Sequence, residues 1–230
     1  MYHRDPMPSE PVSVSVRPKV IIFDVDGLLF NTDDLMFTEL QRALAEFDVT
    51  IDEAFYATHG YDDCIYALNL SGEHLMTVQR NVRARYYTDD LLPRVREKPG
   101  VLETLQHLSP SFSLAIGSGE TREQIERYLG HFSLSGFFSF IGHGAMVPNR
   151  KSNPEYFFTI AKHYGVLPQD CLHVGDTQID QNALNAGVPV AIIPTRFSRH
   201  ITFDPRCHIL KSMKELPELL LHSKRRNGES

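Results

Sequence analysis

The chain has 230 residues, 42% of them hydrophobic, with a formal net charge of −6, a mean hydropathy of −0.25 and a pI near 6.0. This is an ordinary globular composition, with room for one large domain or a domain carrying a small insert. The acidic balance argues against nucleic-acid binding through a basic face, and no apolar run approaches the roughly 20 residues needed to span a bilayer.

Met1 to Arg17 carries Pro6, Pro8 and Pro11 and lacks the apolar centre of a signal peptide. Residues 1–18 are therefore expected to form a flexible tail, with a short edge segment at Val12 to Val16. Cys64, Cys171 and Cys207 are few and odd in number. They suit a reducing cytoplasm, and none has metal-ligand spacing. Next, Val20-Ile21-Ile22-Phe23 runs straight into Asp24-Val25-Asp26-Gly27. A continuous apolar run of this kind predicts a strand buried on both faces, as in a parallel sheet. Ligands of such sheets sit beyond the carboxyl ends of the strands, where Asp24 and Asp26 fall. Strand alternation would put both carboxylates on one side, where they repel unless a cation or a proton separates them. The competing reading is a turn or capping pair.

After Asn31 the period becomes helical: Met36, Leu40, Ala43, Leu44 and Phe47 recur every three or four residues. Two further helical regions carry Ala54 to Leu68 and Leu75 to Tyr86. Residues 34 to 98 read as helices without a strand, up to the boundary Glu97-Lys98-Pro99-Gly100. Beyond it the chain alternates. Helices are expected over Gly100 to Leu108, Thr121 to Leu129, Pro154 to Tyr164, from Asp176 to Gly187, and over Ser212 to Leu221. Strands are expected over Phe112 to Ile116, Phe137 to Ile141, Cys171 to Val174, Val188 to Ile193 and His208 to Leu210. Alternation of this sort implies a parallel α/β sheet with helices on both faces. His222 to Ser230 is polar, and residues 223–230 are expected to be a second flexible tail.

The strand and loop ends present Asp24 with Asp26, Ser118, Lys151, and Asp176 with Asp180. Singly, each has a bland reading: Ser118 or Asp176 as a helix cap, Lys151 or Asp180 as a solvated surface residue. Together they supply a carboxylate nucleophile, a second carboxylate, a cation site, a hydroxyl and an ammonium, the parts of a phosphate-transfer site.

These segments resemble the four motifs of the haloacid dehalogenase superfamily, in the subclass with a helical cap inserted after the first motif. They are Asp24-Val25-Asp26-Gly27, Ala115-Ile116-Gly117-Ser118-Gly119, Lys151-Ser152-Asn153-Pro154-Glu155, and Val174-Gly175-Asp176-Thr177-Gln178-Ile179-Asp180. The resemblance covers about residues 19 to 195. The first and fourth motifs are specific, whereas the second is nearly meaningless alone.

The resemblance implies a Rossmann-like core of residues 19–33 and 99–222 and a small all-helical cap of residues 34–98. It implies that Asp24 attacks phosphorus to form an aspartyl-phosphate and that Asp26 protonates the leaving oxygen and then activates water. Mg²⁺ would be held by Asp24, the Asp26 carbonyl and Asp176, with Asp180 in support. Ser118 and the Gly119 N–H would hold phosphate oxygens, and Lys151 would neutralise nucleophile and phosphate together. An all-oxygen site suits Mg²⁺.

Asp26 favours phosphate esters, because the family's dehalogenases lack this carboxylate and its phosphonate hydrolases depart there and use a cap lysine. Asn31 and Leu28 stand where relatives often carry Asp and Thr or Ser, so altered loop bonding is expected rather than loss of activity. In the cap, Tyr56, Tyr61, Tyr66, Tyr86 and Tyr87 with Arg80, Arg83 and Arg85 form either a substrate-facing lid or ordinary packing and surface residues. The expected enzyme is a cytoplasmic monomer or weak homodimer acting on a small phosphorylated metabolite such as phosphoglycolate, a sugar phosphate or a nucleotide. A phosphosugar mutase of the β-phosphoglucomutase type and a non-catalytic binding protein are the alternatives.

Overall fold

Strand β1 (Val20–Phe23) is apolar and buried at every position, as a strand covered on both faces must be. Its alternate residues serve two cores. Ile21 and Phe23 join one that also holds Leu105, Leu108, Ile125 and Leu216. Val20 and Ile22 join another with Tyr156, Phe157 and Ile160. The structure is a computed structural model that describes residues 18–88, 90–148 and 150–225. The expected edge segment at Val12 to Val16 lies outside the described residues, as do residues 1–17 and 226–230 of the expected tails.

Around β1 stand β2 (Ser113–Gly117), β3 (Phe140–Gly142), β4 (Cys171–Gly175), β5 (Val190–Ile192) and β6 (His208–Ile209). They form one six-stranded sheet in the order β3-β2-β1-β4-β5-β6, and every pairing is parallel. β1 is therefore central, with Phe23 level with Ile116 of β2 and Val174 of β4. The residues that follow these three strands emerge side by side at one edge. The strand order changes direction here, the place where open parallel sheets bind ligands.

Helices α1 (Thr32–Ala45), α2 (Glu53–Ala67) and α3 (Gly72–Tyr86) follow β1. α1 packs on α3 and on α2. Asp52 and Ser71 accept hydrogen bonds from Phe55 N and His74 N, capping α2 and α3. At Gly60 the backbone leaves helical geometry (φ 65°, ψ −173°), so α2 is two helical pieces joined by a kink. The paired chains leading into and out of this helical region are tied together. Asn31 N donates to Arg96 O at 3.0 Å, and Asn31 Oδ1 accepts from Arg96 N at 2.6 Å.

The later helices are α4 (Val101–Leu108), α5 (Arg122–His131), α6 (Glu155–His163) and α7 (Leu216–Arg225). Three expectations need correction. The helix expected from Asp176 to Gly187 is a 3-10 helix over Asp180–Ala186, stopped by Gly187 in the left-handed region. The strand expected from Phe137 is a 3-10 turn over Ser135–Phe137, followed by the shorter β3. The last helix opens with a 3-10 turn, Met213–Glu215, and continues past Leu221 to Arg225. In each case the segment is short and its composition suits more than one element, so local hydrogen bonding and packing decide its form and bounds. Among the described residues no helix is long and apolar enough to cross a membrane.

Candidate active site

Each sheet strand that ends at the central edge delivers a polar side chain into buried surroundings. Asp24 follows β1 and is 5% exposed; Ser118 follows β2, Asp176 follows β4, and both are fully buried. Lys151 comes from a 3-10 turn, Arg150–Ser152, and is 6% exposed. Its Nζ lies 2.6 Å from Asp24 Oδ2 and 2.7 Å from Asp180 Oδ1. Asp24, Asp176 and Asp180 each turn a carboxylate oxygen into a common space, all within 4.8 Å of one another.

Asp26 lies apart from this cluster. β1 stops at Phe23, so strand alternation does not aim Asp24 and Asp26. The turn at Gly27, with φ +74°, directs Asp26 toward α1, where Thr32 Oγ1 donates to Asp26 Oδ1 at 2.6 Å. Both carboxylates nonetheless line one cavity of about 270 Å³, with Lys151, Gly119, Glu120 and, from the helical region, Tyr56, Tyr61, Arg83, Tyr86 and Tyr87. Tyr66 is 61% exposed and lines no part of it. Ser118 sits behind Gly119, its hydroxyl accepting from Glu120 N at 3.0 Å, and Tyr156 donates to its backbone oxygen at 2.9 Å.

The two carboxylates of the fourth motif have opposite surroundings. Asp180 Oδ1 accepts from Lys151 and, at 2.9 Å, from His173 Nε2. Its Oδ2 accepts from Asp176 N, Thr177 N and Thr177 Oγ1 at 2.9–3.1 Å. Burial would raise this carboxyl, but Lys151 and His173 more than offset it and hold it well below the usual range. Asp176 is buried with neither oxygen hydrogen-bonded among the described residues. Burial first, then Asp180 and Asp33, push it well above the carboxylate range.

Burial also raises Asp24 to about 7, against the pull of Lys151. Asp26 is raised to about 7 by burial and then by the Glu120 carboxylate, with the Thr32 hydrogen bond acting the other way. Buried carboxylates without enough cationic charge, one of them with no hydrogen-bond donor, are a fit for a hard divalent cation. Gly27 leaves room for this arrangement, since a Cβ there would fall on Asp176 Oδ2.

Four residues that complete the site do not stand out in the sequence. Thr32, Glu120 and Tyr156 are common polar residues that gain meaning from their partners. His173 carried a signal, as a lone histidine inside the buried apolar run of β4. Its ring nitrogens reach Asp180 and, at 3.1 Å, Ile22 O.

Known proteins resemble this chain in sequence and in fold. Residues 21–193 match the profile of the haloacid dehalogenase-like hydrolases. A phosphoglycolate phosphatase from Mannheimia succiniciproducens is 30% identical over 176 residues, covering 70% of this chain and 79% of that one. The pyrophosphatase PpaX of Halalkalibacterium halodurans is 28% identical over 215 residues, covering 87% and 95%. In fold, the chain resembles the β-phosphoglucomutase of Clostridium difficile with a TM-score of 0.72 at 20% identity, covering 91% of this chain and 98% of that one. The names of these proteins differ in substrate and share phosphate chemistry. The chain belongs to the haloacid dehalogenase-like hydrolase family, as a phosphatase-type enzyme.

Proposed function

We propose that the chain is a Mg²⁺-dependent phosphatase that hydrolyses a small phosphorylated metabolite through an aspartyl-phosphate on Asp24. The observation that carries this reading is the buried juxtaposition of Asp24, held by Lys151 at 2.6 Å, with the unpartnered carboxylate of Asp176. Asp24, the Asp26 carbonyl and Asp176 would hold the cation. Asp180, saturated by five donors, supports the site by fixing Lys151 and the Asp176 backbone. When bound, Mg²⁺ supplies positive charge to the phosphoryl oxygens and favours the ionised form of Asp24.

The remaining steps belong to the chain's own groups. Lys151 orients Asp24 Oδ2 and offers its charge to the phosphoryl group. Asp24 attacks phosphorus, and the bond to the leaving oxygen breaks. Asp26, raised to about 7, is partly protonated near neutrality and so has a proton to give to that oxygen. As a carboxylate it then takes a proton from the water that attacks the phosphoenzyme, which releases phosphate and restores Asp24. The Ser118 hydroxyl and Gly119 N–H hold phosphate oxygens. Residues 34–98 act as a cap over the core formed by residues 19–33 and 99–222. Its tyrosines wall the cavity and limit water there.

The test is hydrolysis of p-nitrophenyl phosphate and a panel of metabolite monophosphates, with Mg²⁺ and with EDTA. Turnover that EDTA abolishes and Mg²⁺ restores is expected. Full turnover by metal-stripped protein in EDTA would overturn the reading, and isomerised sugar phosphate in place of free phosphate would assign a mutase.

A further inference from the structure

The cavity above Asp24 has cationic side chains in two places. Lys151 is committed to Asp24 and Asp180. The other is Arg83 on α3, which lines the same cavity and forms no ion pair with any described residue. Its neighbours on the helix behave differently. Arg85 is paired with Glu46 at 2.7 Å, and Arg80, exposed as Arg83 is, lines no part of the cavity. Glu120, which lines the cavity with Asp24, Asp26 and Asp33, accepts from the Tyr87 hydroxyl at 3.3 Å.

An adjoining cavity of about 360 Å³ shares Asp33, Tyr56, Gly60, Thr177 and Ile179 with the first. Its walls include Thr58, His59, Gln178 and Asn182, with no lysine or arginine. Among the described residues lining these two cavities, Arg83 is thus the lysine or arginine not committed to a carboxylate, and a leaving group with a second negative charge is favoured near it. At about 270 Å³ the first cavity suits a small molecule.

We propose that Arg83 is a specificity-determining residue that reads a second negative charge, a carboxylate or a phosphate, on the leaving group of a small organic phosphate. This rests on the phosphatase reading above. The guanidinium is always charged, and its planar fork matches both anions. It lies on α3, whereas Asp24 and Lys151 lie at the sheet edge, so it sorts substrates without taking part in the chemistry.

The experiment compares matched substrates within each variant. One pair is 2-phosphoglycolate and its neutral amide, phosphoglycolamide. The other is propanediol bisphosphate and propanediol monophosphate. The ratio of kcat/KM for the charged over the neutral member is read for wild type, Arg83→Gln and Arg83→Lys, all with Mg²⁺. Wild type should prefer the charged member of at least one pair by about tenfold or more. Arg83→Gln should bring that ratio toward one, and Arg83→Lys should restore part of it. The responding pair tells carboxylate from phosphate. A purely structural role would lower both members together and leave the ratio unchanged. A wild-type ratio near one, or a ratio that Arg83→Gln leaves intact, overturns the proposal while the phosphatase reading stands. No Mg²⁺-dependent hydrolysis of any ester, p-nitrophenyl phosphate included, overturns both.

Discussion

Asp176 and Asp180 stand four residues apart, both fully buried, yet one carboxylate has no hydrogen-bond donor among the described residues and the other has five. Asp180 belongs to the folded scaffold, whereas Asp176 is left poised for something the chain does not supply. The difference follows from the 3-10 helix that starts at Asp180. It turns Asp180 back onto the Asp176 and Thr177 N–H groups and toward Lys151 and His173.

Neutralising the two should therefore have opposite consequences. Asp180→Asn leaves Lys151 and His173 beside an uncharged amide and should cost about 3–5 kcal/mol, the usual cost of breaking a buried ion pair from one side. Asp176→Asn replaces a buried carboxyl that has no hydrogen-bond donor among the described residues, and metal-free stability should be unchanged or higher. Urea unfolding of both variants in EDTA checks this. A larger loss for Asp176→Asn than for Asp180→Asn would contradict the assignment.

Stability should depend on pH in a way that a divalent cation cancels. Asp24 and Asp26 rise from the ordinary 3.8 to about 7 on folding, so between these values the folded chain holds protons that the unfolded chain has released. Stability then falls as pH rises through that window. Asp180 is held below 3.8; its contribution is present above 3.8 and is lost only at lower pH, outside the window. In EDTA, Tm should drop by several degrees between about pH 5 and about pH 8, since 1 kcal/mol is worth roughly 2–4 °C in a chain of this size. Mg²⁺ should raise Tm more at the higher pH. Equal Mg²⁺ shifts at both values would refute the linkage.

Two glycines should respond differently to alanine. Gly27 and Gly60 both have positive φ, +74° and +65°, so each substitution carries a conformational cost of about 1 kcal/mol. At Gly27 the new methyl group falls on Asp176, while at Gly60 it meets nothing within 4 Å. Gly27→Ala should thus lose the Mg²⁺-induced rise in Tm, and Gly60→Ala should keep it. Thermal scans with and without Mg²⁺ separate the two.

The covalent step has its own signature. Asp24→Asn should lose nearly all turnover and give no phosphoenzyme, because an amide is a poor nucleophile. Asp26→Asn should lower kcat by about 10²–10⁴-fold and leave acid-quenched protein phosphorylated on Asp24, because water activation is impaired. Peptide mapping by mass spectrometry reads both outcomes. Substantial turnover by Asp24→Asn, with deamidation excluded, would rule out the covalent route.

Much of this was legible in the order of residues alone. An apolar run ending in Asp24-Val25-Asp26-Gly27 marks a buried strand with charge at its carboxyl end, since burial on both faces leaves no polar position within it. The spacing of apolar residues was enough to place α1, α2 and α3, and the alternation after Pro99 implied a parallel sheet. Sequence could not say that Asp26 would part from the Asp24 cluster and turn to Thr32, because that depends on β1 ending at Phe23 and on the Gly27 turn. Nor could it show that Asp180 would be saturated while Asp176 went without donors, or that Arg83, alone of Arg80, Arg83 and Arg85, would face the cavity. Local pattern records which groups a segment can bury. Which partners those groups find depends on elements far apart in the chain, as when β4 brings His173 to Ile22 and the Arg150–Ser152 turn brings Lys151 to Asp24.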